Sequence, residues 1–141
     1  IDDENADESV AAMARKSALS ARVERYITFD TRRIQDVEPP APHGLLVTNL
    51  PYGERIGGRE ADLRPLYEEI GDVLKQRFAG WRAVLLAASA SPWKSIGLKP
   101  TRSQALMNGS IPCRLLHYEL YSGSRRTPKQ EGRPQAPLES T

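Results

Sequence analysis

The chain has 141 residues, a mass of 15.7 kDa, 39% hydrophobic and 27% charged residues and a mean hydropathy of −0.53. That composition suits one ordinary folded domain and argues against a chain disordered throughout. No apolar run approaches the roughly 20 residues of a bilayer span, the acidic opening Ile1-Asp2-Asp3-Glu4 is not a secretory signal, and a net charge of +2 is too mild to indicate nucleic acid by itself.

Asp2, Asp3, Glu4, Asp7 and Glu8 precede an alanine-rich run. Acids in a first turn oppose the positive end of the helix dipole, so a helix is expected from about Ala6 to Ser20. Val10, Met13, Ala14, Ser17 and Ala18 give it a modest apolar stripe. Arg25 to Asp30 (RYITFD) is β-branched and aromatic and is expected to be a short strand. The prolines of Glu38-Pro39-Pro40-Ala41-Pro42 forbid regular structure there. Gly44 to Thr48 (GLLVT) is an apolar run of the kind buried on both faces of a sheet, and it ends in the turn-rich stretch Asn49-Leu50-Pro51-Tyr52-Gly53-Glu54-Arg55.

The clearest helix spans Ala61 to Phe78, with Leu63, Leu66, Tyr67, Ile70, Val73, Leu74 and Phe78 on one face, Pro65 near its start and Gly80 as its stop. Arg82 to Ala88 (RAVLLAA) is a second buried strand, and Ser91-Pro92 can open a short helix through Gly97. Thr101 to Met107 and Cys113 to Tyr121 are expected as strands joined at Asn108-Gly109, a strong hairpin signal. The end of the chain carries Arg125, Arg126, Lys129 and Arg133 with prolines and almost nothing apolar, which reads as a disordered basic tail over residues 122–141.

This order predicts an α/β fold whose sheet ends in an antiparallel hairpin. Open parallel sheets place ligands outside the carboxyl ends of their strands, and Asn49 to Tyr52 follows such an end. An amide oxygen and a carbonyl oxygen can accept both N–H bonds of an exocyclic base amine while a tyrosine stacks on the ring, and proline stiffens the arrangement. Four letters alone fit a plain β-to-α turn equally well.

The surrounding residues add to that pattern. LLVTNLPYGERIG resembles the amino-methyltransferase signature of class I S-adenosylmethionine-dependent enzymes, and more narrowly that of the THUMP-associated RNA methyltransferases, whose usual form is NPPYGER. The likeness continues through LRPLYEEIGDVLKQRFAGWRAVLLAAS and reaches NGSIPCRLLHYEL, similar to the family's terminal hairpin. Within the family the chain is most similar to the large-subunit ribosomal RNA guanine-N2 methyltransferases. One departure is Leu50 where proline is usual; NLPY also occurs in adenine-N6 methyltransferases.

The resemblance implies the C-terminal part of a Rossmann-like methyltransferase sheet over residues 1–121, with S-adenosylmethionine as cofactor and guanine N2 of 23S ribosomal RNA as target. It implies that Asn49 and the Pro51 carbonyl receive the target amine and that Tyr52 stacks on the base. The resemblance puts one cofactor acid at or just before Asp2-Asp3, whereas the position aligned with a second, near the adenine, is Arg33, with Asp30 and Asp36 nearby; as residues alone, each acid fits a cap or a solvated charge equally well. Adenine N6 of RNA or DNA is the alternative target, and a non-catalytic nucleic-acid-binding half-domain is the alternative of another class. The glycine-rich loop that holds the cofactor is not among these residues: Gly53, Gly57 and Gly58 do not form a G-x-G-x-x-G series. With Ile1 as its first residue, the chain is expected to be a segment of a longer enzyme, inactive alone, whose THUMP region lies outside it.

Other residues suit structural roles. Cys113 is expected as a small buried hydrophobe, since no disulfide or Cys-rich zinc module is possible with one cysteine. His43 and His117 lie in different segments, so no metal site is expected. Trp81 and Trp93 flank a strand and are expected to fill the core, and Glu54 and Arg55 to pair, cap a helix or touch RNA phosphate. The reducing cytosol is the expected compartment.

Overall fold

A computed structural model describes residues 4–52, 55–56, 59–60 and 62–122. The acidic, alanine-rich start forms α1 (Glu4–Ser20). The following elements are β1 (Leu45–Asn49), β2 (Arg55–Ile56), β3 (Arg59–Glu60), α2 (Arg64–Arg77), β4 (Arg82–Ala88), β5 (Arg102–Asn108) and β6 (Ile111–Glu119). The main sheet has the order β1-β4-β6-β5. β1 runs parallel to β4 with Leu45 opposite Arg82, while β6 is antiparallel to both β4 and β5. The small β2–β3 ladder stands apart.

α2 starts three residues later than the expected Ala61, because Pro65 lacks a backbone donor and is tolerated only in the first turn. Asp62 precedes it and accepts from the Arg64 backbone N–H at 3.1 Å and from the Arg64 guanidinium at 2.9 and 2.8 Å. Those bonds to Arg64 hold the Asp62 carboxyl down at about 2.

The core lies between α2 and one face of the sheet. Tyr67, Ile70, Val73, Leu74 and Phe78 press on Ala83, Leu85 and Ala87 of β4 and on Leu116 and Tyr118 of β6. Small alanines on the central strand let the helix approach, and the larger leucines fill the space between them. Trp81 closes one end: its ring meets Phe78 edge-on at 5.3 Å and its indole N–H donates to the Ala41 carbonyl at 2.9 Å. That bond ties the proline-rich segment to the core. The short 3-10 turn Trp93–Ile96 packs on α2.

Three expectations need correction. The stripe on α1 is not buried: Val10 and Met13 are exposed, and only Ala18 of that set is covered. Arg25 to Asp30 is not a strand. Glu24–Tyr26 is a 3-10 turn and Ile27 is extended, but no described strand pairs with this segment, and extended backbone needs such a partner for its N–H and C=O groups. β1 is buried on one face only. Leu46 and Thr48 turn toward α2, whereas Leu45 is 52% and Val47 68% exposed, because the described helices cover a single side of this edge strand. The β5–β6 hairpin closes at Gly109 and Ser110, with Asn108 opposite Ile111. Gly109 takes a positive φ of 60° and Ser110 does not, the pattern of a type II′ turn. Within the expected tail, residues 123–141 lie outside the described residues.

Gly71 marks the tightest helix contact: a Cβ there would lie 1.9 Å from the Ile96 carbonyl oxygen. Gly71→Ala should therefore destabilise the fold by roughly 1–3 kcal/mol, although alanine is the better helix former by about 1 kcal/mol. A thermal melt of the variant beside the parent chain checks this. An unchanged or raised Tm would show that the Trp93–Ile96 turn can yield.

Candidate active site

β1, β4 and β5 point the same way, so the carboxyl end of β1, the segment after β4 and the tip of the β5–β6 hairpin share one edge of the sheet. Asn49 is the last residue of β1, and its side chain is exposed. Leu50 carries the ladder one residue further: its N–H donates to the Leu86 carbonyl at 2.8 Å, and its side chain is 3% exposed in the core. A proline at this position could not donate that bond. Pro51 and Tyr52 then leave the sheet.

Two side chains pin the segment from outside it. Tyr67 of α2, fully buried, donates its hydroxyl to the Pro51 carbonyl at 2.9 Å. Burial pushes the Tyr67 hydroxyl pKa up, with a hydrogen bond to Ser91 opposing, so it remains a donor at neutral pH. A carbonyl oxygen has two lone pairs, so one on Pro51 stays available. Asn108, at the end of β5, donates its amide to the Tyr52 hydroxyl at 2.6 Å. The segment is thus held by β4 through Leu86, by α2 through Tyr67 and by the hairpin through Asn108. Beside it lies an apolar cavity of about 250 Å³ lined by Ile34, Val37, Leu46, Leu66, Ile70 and Phe78, with Thr48 and Asn49 also on its wall.

Of the expected site residues, Asn49, Pro51 and Tyr52 stand together on this edge. Asp30 is half exposed and its carboxylate is engaged by Arg32 at 2.5 Å. Asp36 ends the 3-10 turn Ile34–Asp36, which rests on the core through Ile34. Asp2, Asp3, Gly53, Glu54, Gly57 and Gly58 lie outside the described residues, as does the side chain of Arg55. Cys113 is 1% exposed, as a small core residue should be. Among the described residues no cluster of His, Cys, Asp and Glu could hold a metal, and no helix is long and apolar enough to cross a membrane. Sequence reasoning missed Tyr67 and Asn108. Tyr67 sits at core spacing among aliphatic residues, where its hydroxyl was the signal that a polar partner must exist; Asn108 looked like a turn residue and nothing more.

A parallel pair extended by an antiparallel hairpin, with Asn-Leu-Pro-Tyr at its carboxyl edge, is the frame of a class I amino-methyltransferase. Residues 4–117 match the RMKL-like methyltransferase domain, and the chain belongs to that family. It is 43% identical over 115 residues to a Synechocystis protein assigned as an RNA methyltransferase, covering 82% of this chain and 30% of that one. It is 35% identical over 120 residues to the ribosomal RNA large subunit methyltransferase K/L of Shewanella sp. (strain W3-18-1), covering 85% of this chain and 17% of the relative. Among solved structures, a protein assigned as a methyltransferase and complexed with SAH superposes with a TM-score of 0.71 at 26% identity, over 84% of this chain and 31% of that one. One from Listeria monocytogenes, assigned as an N6-adenine-specific DNA methylase, gives 0.66 at 29% identity, over 81% and 28%. The chain therefore spans less than a third of the length of each of these proteins.

The buried phenols set an alkaline limit. Burial raises the Tyr67 pKa and lifts that of Tyr118, whose hydroxyl has no partner among the described residues, to about 12. A raised folded pKa means that the associated stability is full below the unfolded value near 10 and is lost as pH climbs toward 12. Urea midpoints should fall across that window, and less steeply in Tyr67→Phe. At neutral pH the same variant, which removes one hydrogen bond, should cost about 1 kcal/mol. A midpoint flat from pH 10 to 12 would contradict the burial of these hydroxyls.

Proposed function

We propose that the chain supplies the target-base half of an S-adenosylmethionine-dependent RNA methyltransferase acting on an exocyclic base amine, most specifically guanine N2 of large-subunit ribosomal RNA. The observation that carries this reading is the Asn49–Tyr52 segment, fixed at three points on the carboxyl edge of the sheet. Relatives named for large-subunit ribosomal RNA methylation support the substrate. Residues 1–121 act as the C-terminal portion of the catalytic domain, 122–141 as a basic tail, and a cytoplasmic location fits such a substrate.

Methyl transfer to an amine nitrogen is an in-line displacement that depends on orientation more than on a strong base. In this mechanism the Asn49 side-chain oxygen and the free lone pair of the Pro51 carbonyl accept the two N–H bonds of the target amine, which directs the nitrogen lone pair away from both. Tyr52 stacks on the base and keeps its own plane through the bond from Asn108. Tyr67 fixes the Pro51 carbonyl, so the second acceptor does not reorient during the step. The cofactor, when bound, supplies an electrophilic methyl group on a sulfonium. The apolar cavity beside Asn49 suits the adenine end of that cofactor, with Ile34 and Val37 on its wall and Asp30 four residues before Ile34 in the sequence. Asp2 and Asp3 are the proposed partners of its ribose.

Adenine N6 is the second reading, favoured by the Listeria structure. Leu50 does not favour it, because that side chain lies in the core and faces no base. Labelled methyl transfer by the complete enzyme, followed by nuclease digestion and mass spectrometry, separates the two: N2-methylguanosine supports the proposal and N6-methyladenosine replaces it.

Asn49→Ala in the complete enzyme should raise the barrier by roughly 2.7–4 kcal/mol, a hundredfold or more in rate, while costing about 1 kcal/mol of stability or less. Single-turnover methylation read beside a thermal melt tests this. An early melt with normal turnover per folded molecule would reduce the segment to a turn. The 141-residue chain alone, without a glycine-rich cofactor loop, should bind S-adenosylmethionine only weakly. Calorimetry giving micromolar affinity would overturn that expectation.

A further inference from the structure

Between Asp72 and Glu119 the chain contains no acidic residue, yet it carries Lys94, Lys99, Arg102 and Arg114 over the segment that forms the 3-10 turn and the hairpin. Four cations of the described surface are paired with carboxylates: Arg32 with Asp30, Arg64 with Asp62, Lys75 with Asp72 and Arg77 with Glu38. Lys94 and Arg114 have no such partner among the described residues. Both gather on Trp93 instead, with the Arg114 guanidinium carbon 5.7 Å and the Lys94 ammonium 5.8 Å from the ring centroid. Arg114 also donates to the Ser103 hydroxyl at 3.1 Å. An aromatic face and a hydroxyl hold a cation in place without cancelling its charge, which leaves two positioned cations ready for an anion.

Their location says which anion. Arg114 lies opposite Ala87, next to the carboxyl end of β4. Leu50, inside the Asn49–Tyr52 segment, donates its N–H to the carbonyl of Leu86, the neighbour of Ala87 on β4. The Asn49–Tyr52 segment and Arg114 therefore pair with adjacent residues of β4. We propose that Lys94 and Arg114, mounted on Trp93, form a seat for a backbone phosphate of the RNA strand beside the target nucleotide. The seat rests on the reading of this edge as the site for RNA, and it adds the place where the strand is gripped. Phosphate contacts position a strand and carry no sequence information, so this seat sets register and leaves base choice to Asn49 and Pro51.

The test uses the 141-residue chain and a labelled single-stranded RNA oligonucleotide, with anisotropy titrations across a series of salt concentrations. Each neutralised phosphate on a single strand contributes about −0.7 to the slope of log affinity against log salt, which is about fivefold in affinity at 0.1 M salt. Lys94→Gln and Arg114→Gln should each flatten the slope by about that amount and weaken binding about fivefold. Lys94 is exposed, so its replacement leaves the fold intact even if Arg114→Gln melts early. Trp93→Leu, which keeps an apolar contact with the core, should reproduce the loss by releasing both cations. Arg82→Gln, at the opposite end of β4, should change nothing.

An equal loss in Arg82→Gln would mean a diffuse positive field and would overturn the seat, as would wild-type affinity and slope in Lys94→Gln and Arg114→Gln. Matching losses on single-stranded DNA of the same sequence would identify phosphate as the group held; losses confined to RNA would move the contact to the 2′-hydroxyl and overturn it. Methyl transfer by the complete enzyme stands apart from these readings. If it proceeds on ribosomal RNA with an unaltered KM in Lys94→Gln, the seat fails and the catalytic reading survives.

Discussion

The fully buried Tyr67 hydroxyl donates to the Pro51 carbonyl. An unsatisfied donor at that depth would cost roughly 1–3 kcal/mol, so the bond couples the packing of α2 to the shape of the Asn49–Tyr52 segment. The coupling works in both directions. Tyr67 is fully buried in the core with Ile70, Val73 and Leu74, which fixes its ring, and the fixed ring fixes the carbonyl. A segment with no regular secondary structure thereby acquires the rigidity of the helix beside it, which is what an orienting site needs.

The rest of the sheet serves the same edge. Leu50 extends the β1–β4 ladder past the point where a proline would end it, and buries its side chain under α2. The hairpin brings Asn108 back to that edge because β5 runs in the direction of β1 and β4. Gly71 lets the Trp93–Ile96 turn lie directly against α2, and that turn carries the aromatic ring on which Lys94 and Arg114 gather. Packing on one face of the sheet thus organises chemistry along its carboxyl edge.

The opposite face is organised differently. There Leu45 and Val47 on β1 are exposed; on α1, Val10, Met13 and Leu19 are exposed as well. The segment from Ile27 onward pairs with no described strand, although its β-branched and aromatic residues are those of a strand.

Local sequence determined much of this. The i, i+3, i+4 spacing of α2 names its buried face, the β4 run RAVLLAA is continuously apolar after Arg82 as a buried strand is, and Asn108-Gly109 dictates where the chain reverses. These signals are legible because each arises within a few residues of chain. The site segment was legible for a second reason, its likeness to a known signature. What the tertiary structure decided were matters of which surfaces meet: that β1 is covered on one face, that RYITFD finds no described partner, that Leu50 points into the core, and that Tyr67 and Asn108 reach Pro51 and Tyr52 from distant positions in the chain. Periodicity tells which side of an element is apolar; only the packed fold tells what lies against it and where a buried hydroxyl finds its acceptor.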